Sequence, residues 1–145
     1  MSVERVCARH VDIAEPDESV WKAAERMHQR AVGTLVIIDE DKKPIGIVTD
    51  RDLVERVMAQ SKDPNTTAIS QVMTHDPVNV NEMASIESVL SVMQSCGFRR
   101  IPVVGDEGQL VGLLSLDDVL GLLAEEFAQI GKLLNRQTPR AAAEV

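Results

Sequence analysis

The chain repeats itself. Adding 66 to a position between Ser19 and Val57 reaches a chemically similar residue at most apolar sites, without a gap. Val20, Ala23, Ala24 and Met27 map to Ile86, Val89, Leu90 and Met93, and Leu35, Ile37 and Ile38 map to Ile101, Val103 and Val104. The stretch GIVTDRDLV (46–54) maps to GLLSLDDVL (112–120), aligning Gly46, Thr49 and Asp52 with Gly112, Ser115 and Asp118. Register held over that length marks an internal duplication. A unit of about 50 residues is too small to bury a sheet face reliably, so the two copies must pack together.

Both copies have one layout. Val11–Ile13 and Val78–Val80 alternate apolar and polar residues, which predicts short strands, with the offset between these two segments grown by one residue. Val20, Ala24, Met27 and Ala31 follow the spacing of one helix face, and Ser19 and Ser85 are the expected N-caps. Thr34–Ile38 and Ile101–Val104 are strand-length aliphatic runs, although Pro102 implies an edge or an unpaired amide. Polar turns lead into second strands at Ile45–Val48 and Val111–Leu114, which makes two hairpins. Asp52 and Asp118 then fall in the first turn of a closing helix. The unit is β-α-β-β-α, written twice.

The remaining segments divide the chain as follows. Residues 1–60 form the first unit with a lead-in helix at Val3–Ala8, and 61–68 form a polar linker. Residues 69–126 form the second unit, led by Ile69–Met73, and 127–145 a helical extension and tail. The extension is expected to stay helical to about Asn135 and to fray over Thr138–Ala143.

Composition excludes several functions. The net charge of −8 argues against binding nucleic-acid polymers or anionic lipid surfaces. No apolar run approaches the roughly 20 residues of a membrane span. The N-terminus has no apolar signal core, and Cys7 and Cys96 read as reduced thiols, so a cytoplasmic protein is expected. His10, His28 and His75 lack metal-ligand spacing, so no metal site is expected. Asp39-Glu40-Asp41 reads most simply as a solvated turn, with a divalent-cation site as the alternative. Neither a nucleophile–base pair nor a carboxylate dyad stands out, so the chain does not read as an enzyme.

The simplest reading of Thr49-x-x-Asp52 and Ser115-x-x-Asp118 is a capping box opening a helix. Three features favour a ligand site as well. Gly46 and Gly112 lie inside strands, where glycine weakens pairing unless some group approaches the backbone closely. Both copies carry the set. Arg99-Arg100 stands before an apolar strand in an otherwise acidic chain, and adjacent cations near a helix start suit a phosphate. A carboxylate in the same cleft can take both hydroxyls of a ribose.

The tandem β-α-β-β-α pattern, with VMTHDPVNV at 72–80, FRRIPVV at 98–104 and Gly-x-x-[Ser/Thr]-x-x-Asp closing each copy, resembles the cystathionine β-synthase (CBS) domain pair, or Bateman module, over about residues 3–126. The resemblance implies two motifs packed sheet to sheet with pseudo-twofold symmetry. It implies adenosine-containing ligands in the clefts: AMP, ADP or ATP first, with NAD and S-adenosylmethionine as further options. It implies that Asp52 and Asp118 bind ribose hydroxyls while Thr49 and Ser115 contact ribose or phosphate. Arg99 and Arg100 match phosphate-reaching positions, and Thr74, Asp76, Pro77 and Val78 match the start of the first strand, which lines the base pocket. Copy one has the neutral Gly33 and Thr34 where copy two has the arginines, and Asp117 replaces Arg51. The expected working cleft therefore joins Thr49 and Asp52 to Arg99 and Arg100, while Asp118 faces Gly33 and Thr34.

These readings predict a regulatory ligand-sensing module that signals to a partner or through its own dimer. The alternatives are a structural dimerisation unit with vestigial clefts or a nucleotide-using enzyme. Surplus aliphatic residues on the closing helices, continued by Phe127, Ile130, Leu133 and Leu134, predict a homodimer.

Overall fold

A computed structural model describes residues 1–143, and the side chains of residues 1–136. Copy one supplies β1 (Ile13–Ala14), α1 (Val20–Arg30), β2 (Thr34–Ile38), β3 (Pro44–Thr49) and α2 (Asp50–Leu53). Copy two supplies β4 (Thr74–His75), β5 (Val80–Asn81), α3 (Ile86–Cys96), β6 (Arg100–Val104), β7 (Leu110–Ser115) and α4 (Leu116–Ala143). The strands form two sheets, ordered β1-β2-β3-β4 and β5-β6-β7. This is the expected α/β fold of two β-α-β-β-α motifs.

Local chemistry explains the matching helices. Ser19 Oγ accepts from Lys22 N, and Ser85 Oγ accepts from Ser88 N, so both predicted N-caps form. Both helices end on a left-handed residue, Ala31 at φ 54° and Gly97 at φ 71°. Their buried faces carry Val20, Ala23 and Met27 in one copy and Ile86, Val89 and Met93 in the other.

The short parallel strands differ from the sequence expectation. Pairing begins at Ile13 rather than Val11, and at Val80 rather than Val78. Ala14 opposes Ile37 as Val80 opposes Val103, so the 66-residue offset holds here too. Pro102 explains the later start in copy two. In copy one the equivalent Val36 donates its amide to Asp12 O at 3.1 Å, a bond proline cannot make. β6 is nevertheless a central strand, and it tolerates Pro102 because β5 pairs only beyond it.

The lead-in segments are single 3₁₀ turns, Val3–Arg5 and Ile69–Gln71, and they change places. Ile69, Val72 and Met73 sit in the core of copy one, whereas Val3 and Cys7 sit in the core of copy two. Met73 leads directly into β4, which pairs antiparallel with β3 of copy one. Ala8 makes the matching bridge to Leu113 of copy two. Ile69 and Val3 are fully buried, and such side chains contribute about 1.5–3 kcal/mol each.

The closing helices diverge. After one α-turn, α2 widens into a π-helical segment, Val54–Met58, with Ala59 N bonded to Val54 O. α4 instead runs for 28 residues, about 42 Å at 1.5 Å per residue. It passes Asn135 and includes the 138–143 segment expected to fray, where three consecutive alanines favour helix. Leu120, Leu123, Phe127, Ile130 and Leu133 are all exposed along it. No helix among the described residues is long and apolar enough to cross a membrane.

Candidate functional site

Thr49 ends β3 and opens α2. Its hydroxyl accepts from Asp52 N at 3.2 Å, and its own amide donates to Asp52 Oδ2 at 2.9 Å. The capping box is therefore real, as is its counterpart between Ser115 and Asp118, at 2.9 and 3.1 Å. Capping uses only one oxygen of Asp52. Oδ1 lies 3.6 Å from Arg56, in a side chain 15% exposed.

The in-strand glycines have a different purpose from the one their pattern suggested. A Cβ on Gly46 would collide with the Met73 side chain, with Cγ at 2.9 Å and Sδ closer still. A Cβ on Gly112 would meet Cys7 Sγ at 2.8 Å and Ala8 O at 2.9 Å. The close approach is made by the exchanged lead-ins, not by a ligand.

Arg99 and Arg100 follow the left-handed Gly97 that ends α3. Leu116 N donates to Arg99 O at 2.8 Å, and Arg100 opposes Ser115 across the hairpin, which fixes both main chains. Their side chains are exposed, and no ion pair engages either one among the described residues. Arg26, Arg30 and Arg51, by contrast, are neutralised by Glu18 (2.6 Å), Asp12 (2.9 Å) and Glu55 (2.7 Å). In a chain with eight excess negative charges, two adjacent uncommitted guanidiniums are unusual.

These residues meet at one cavity of about 460 Å³ between the copies. Its wall contains Thr49 and Asp52 from copy one, Arg99 and Arg100 from copy two, and Thr74, Pro77 and Val78 from the segment joining β4 to β5. Asp76 is not on the wall. Its backbone sits at φ 48° with its amide on Ile45 O, and its side chain faces solvent, so it shapes the turn instead. Ser115 and Asp118 also lie outside this cavity.

Thr34 also lines this cavity. The family's symmetry predicts it opposite Asp118, but the hairpin register sets Thr34 directly across from Thr49, on the Asp52 cavity. Thr34 is only 7% exposed, and its Oγ1 has no hydrogen-bond partner. The hairpin pairing was the available signal.

The 66-residue offset shows how the second cleft differs. Thr74 becomes Ala8, Arg51 becomes Asp117, and Val78 becomes Asp12, whose carboxylate is held by Arg30 with His10 packed against that guanidinium. A wider groove of about 690 Å³ lies along Ile13–Glu18, where three carboxylates, Glu15, Asp17 and Glu18, share the lining; of its two cations, Lys22 and Arg26, the arginine is already bonded to Glu18 and to Ile13 O. That pairing holds the Glu18 carboxyl below its ordinary range.

The CBS-domain profile matches residues 3–59 and again residues 69–125. The chain belongs to the CBS-domain family. YlbB of Bacillus subtilis is 44% identical over 103 residues, covering 70% of this chain and 68% of that protein. Hypoxic response protein 1 of Mycobacterium tuberculosis is 34% identical over 108 residues, 74% of this chain and 75% of that one. A Methanopyrus kandleri relative is 34% identical over 120 residues, and this CBS chain spans 61% of its length.

Two solved structures extend the comparison. Hypoxic Response Protein I with two coordinated zinc ions matches at a TM-score of 0.75 and 29% identity, covering 83% of this chain and 97% of that one. A CBS domain pair in complex with 5′-methylthioadenosine and S-adenosyl-L-methionine matches at 0.77 and 25% identity, covering 87% and 98%. Among the described residues of this CBS pair, no three His, Cys, Asp or Glu side chains gather as metal ligands would.

Proposed function

We propose that this CBS pair is a non-catalytic, ligand-sensing regulatory module that binds an adenosine-containing nucleotide in the Asp52 cavity and reports its occupancy to a partner or within its own dimer. The observation that carries this reading is a single cavity collecting a carboxylate and a hydroxyl from one copy and two unpaired arginines from the other. Asp52 Oδ1 takes ribose hydroxyls, Thr49 supports it, and Arg99 and Arg100 take phosphate through charge-assisted bonds. Thr74, Pro77 and Val78 flank the base. The volume lies within the range of small-molecule sites, and a related CBS pair was solved with two adenosine derivatives. AMP, ADP and ATP use the arginines best. S-adenosylmethionine and NAD are the further options. The Asp118 cleft, where Asp12 and Asp117 replace Val78 and Arg51, is the weaker site. Two free thiols, one buried and one exposed, accord with a cytoplasmic setting.

A melting-temperature screen against these five ligands tests the proposal. A ligand at a hundredfold its dissociation constant adds about 2.7 kcal/mol and moves the transition visibly. A flat response to all five would favour a structural dimerisation unit with vestigial clefts. The exposed stripe on α4 supports a homodimer, and light scattering at micromolar concentration should give twice the 15.9 kDa chain mass.

A further inference from the structure

Among the described residues, Arg56 is the cation that touches the cavity's polar groups without lining the cavity itself. Its NH1 donates to Val72 O at 2.7 Å and to Thr74 Oγ1 at 3.4 Å, and its NH2 lies 3.6 Å from Asp52 Oδ1. One guanidinium thus spans α2, the exchanged lead-in and β4. Two of its three partners, Asp52 and Thr74, line the cavity, whereas Arg56 does not.

The geometry assigns directions to those two groups. Thr74 Oγ1 accepts from Arg56, which leaves its own O–H free to donate. Asp52 Oδ2 is committed to the Thr49 amide, so Oδ1 is the oxygen left to accept. Arg56 lies beside Oδ1 without capping that oxygen, since 3.6 Å exceeds a good hydrogen bond. The wall therefore offers an acceptor and a donor held by one guanidinium, a pair able to engage the two hydroxyls of a vicinal diol.

The arrangement is specific to copy one. At the 66-residue offset Arg56 becomes Leu122 and Thr74 becomes Ala8, so Asp118 has neither partner. The backbone differs as well. Arg56 lies in the π-helical segment Val54–Met58, while the equivalent residues of α4 are regular α-helix. Such widened turns re-aim side chains and recur at functional sites.

We propose that Arg56 is a positioning residue that orients Asp52 and Thr74 to recognise an intact ribose diol. This rests on the nucleotide reading of the cavity. The experiment is calorimetric titration of the full chain with AMP and with 2′-deoxyadenosine 5′-monophosphate. Wild type should favour AMP by about tenfold or more, the worth of a hydrogen bond to a charged group. Arg56→Met should weaken AMP about tenfold, leave the deoxy ligand nearly unchanged, and bring the ratio toward one. Arg56→Lys should keep part of the preference. Thr74→Val, which retains the Arg56–Val72 bond, should lower the ratio even if Arg56→Met fails to fold. A parallel loss for both ligands, with the ratio intact, would mean that Arg56 only braces the fold, and would overturn the proposal. Wild type that binds neither ligand would overturn the nucleotide reading itself. Wild type that binds both equally would overturn the diol assignment alone.

Discussion

Met73 lies across Gly46 so closely that a Cβ on the glycine would meet Met73 Cγ at 2.9 Å, although the two residues belong to different copies. Cys7 and Gly112 repeat the relationship, with Ala8 O as an additional wall at 2.9 Å. The two contacts differ in what can yield. Met73 is the flexible end of a side chain, whereas Ala8 O is main chain. Gly46→Ala should therefore destabilise by about 1 kcal/mol and Gly112→Ala by about 2–3 kcal/mol. Urea unfolding measures both. Equal costs would contradict this account, and Met73→Ala should erase most of the Gly46→Ala penalty in a double-mutant cycle.

Arg100 is the residue whose loss should discriminate between ligands. Arg100→Ala removes a cation proposed for phosphate but no group proposed for ribose or base. It should weaken AMP about tenfold, spare adenosine, and flatten the salt dependence of AMP binding. Asp52→Ala should weaken both ligands. Calorimetry on the two variants checks this, and Asp118→Ala should leave binding close to wild type.

Ala31 and Gly97 occupy equivalent left-handed positions at the ends of α1 and α3. A side chain at such a φ is strained by about 1–2 kcal/mol, partly offset by glycine's greater freedom when unfolded. Ala31→Gly should thus stabilise by about 0.5–1 kcal/mol. Gly97→Ala should destabilise by a similar amount, for backbone reasons alone, because nothing lies within 4 Å of the added Cβ. Thermal melts of the two single variants should move in opposite directions.

Much of this was readable beforehand because it is local. Ser19 and Ser85 cap helices through chemistry that three or four residues specify, and the hairpins follow from apolar runs broken by polar turns. Asp39 Oδ1 takes the amides of Asp41 and Lys43, as a solvated acidic turn should. The meeting of Asp52 with Arg99 and Arg100 was also legible, but only through the family's symmetry. The lead-in exchange was not, since Val3 and Ile69 are equally apolar in either core. Nor was Arg56, whose reach depends on a π-turn that no residue pattern between Val54 and Met58 announces. Gly46 misled because a backbone demanding close approach does not say what approaches.

Glu18 provides a pH test. Arg26 holds its carboxyl below the ordinary value of 4.5, with a backbone bond from Glu15 adding to the effect. A depressed folded value means stability present above about 4.5 and lost as pH falls through the folded value. The pair is partly exposed, with side chains 19% and 32% accessible, so its worth is about 1 kcal/mol. Glu18→Gln should lower the urea midpoint at pH 7, and the deficit should shrink at an acid pH well below 4.5. A deficit of equal size at both pH values would show that the ion pair contributes nothing.

The traded lead-ins give the linker an unexpected status. A single protease cut between Lys62 and Asn65 would yield two fragments, each carrying the lead-in that packs into the other's core. Neither piece could complete its interior alone, so each should stay unstructured until mixed with its mate. The Asp52 cavity lies along the seam where they would rejoin, with walls from both pieces. A molecule held there would act as a clasp, and mending of the nicked chain would become a direct readout of what the cavity accepts.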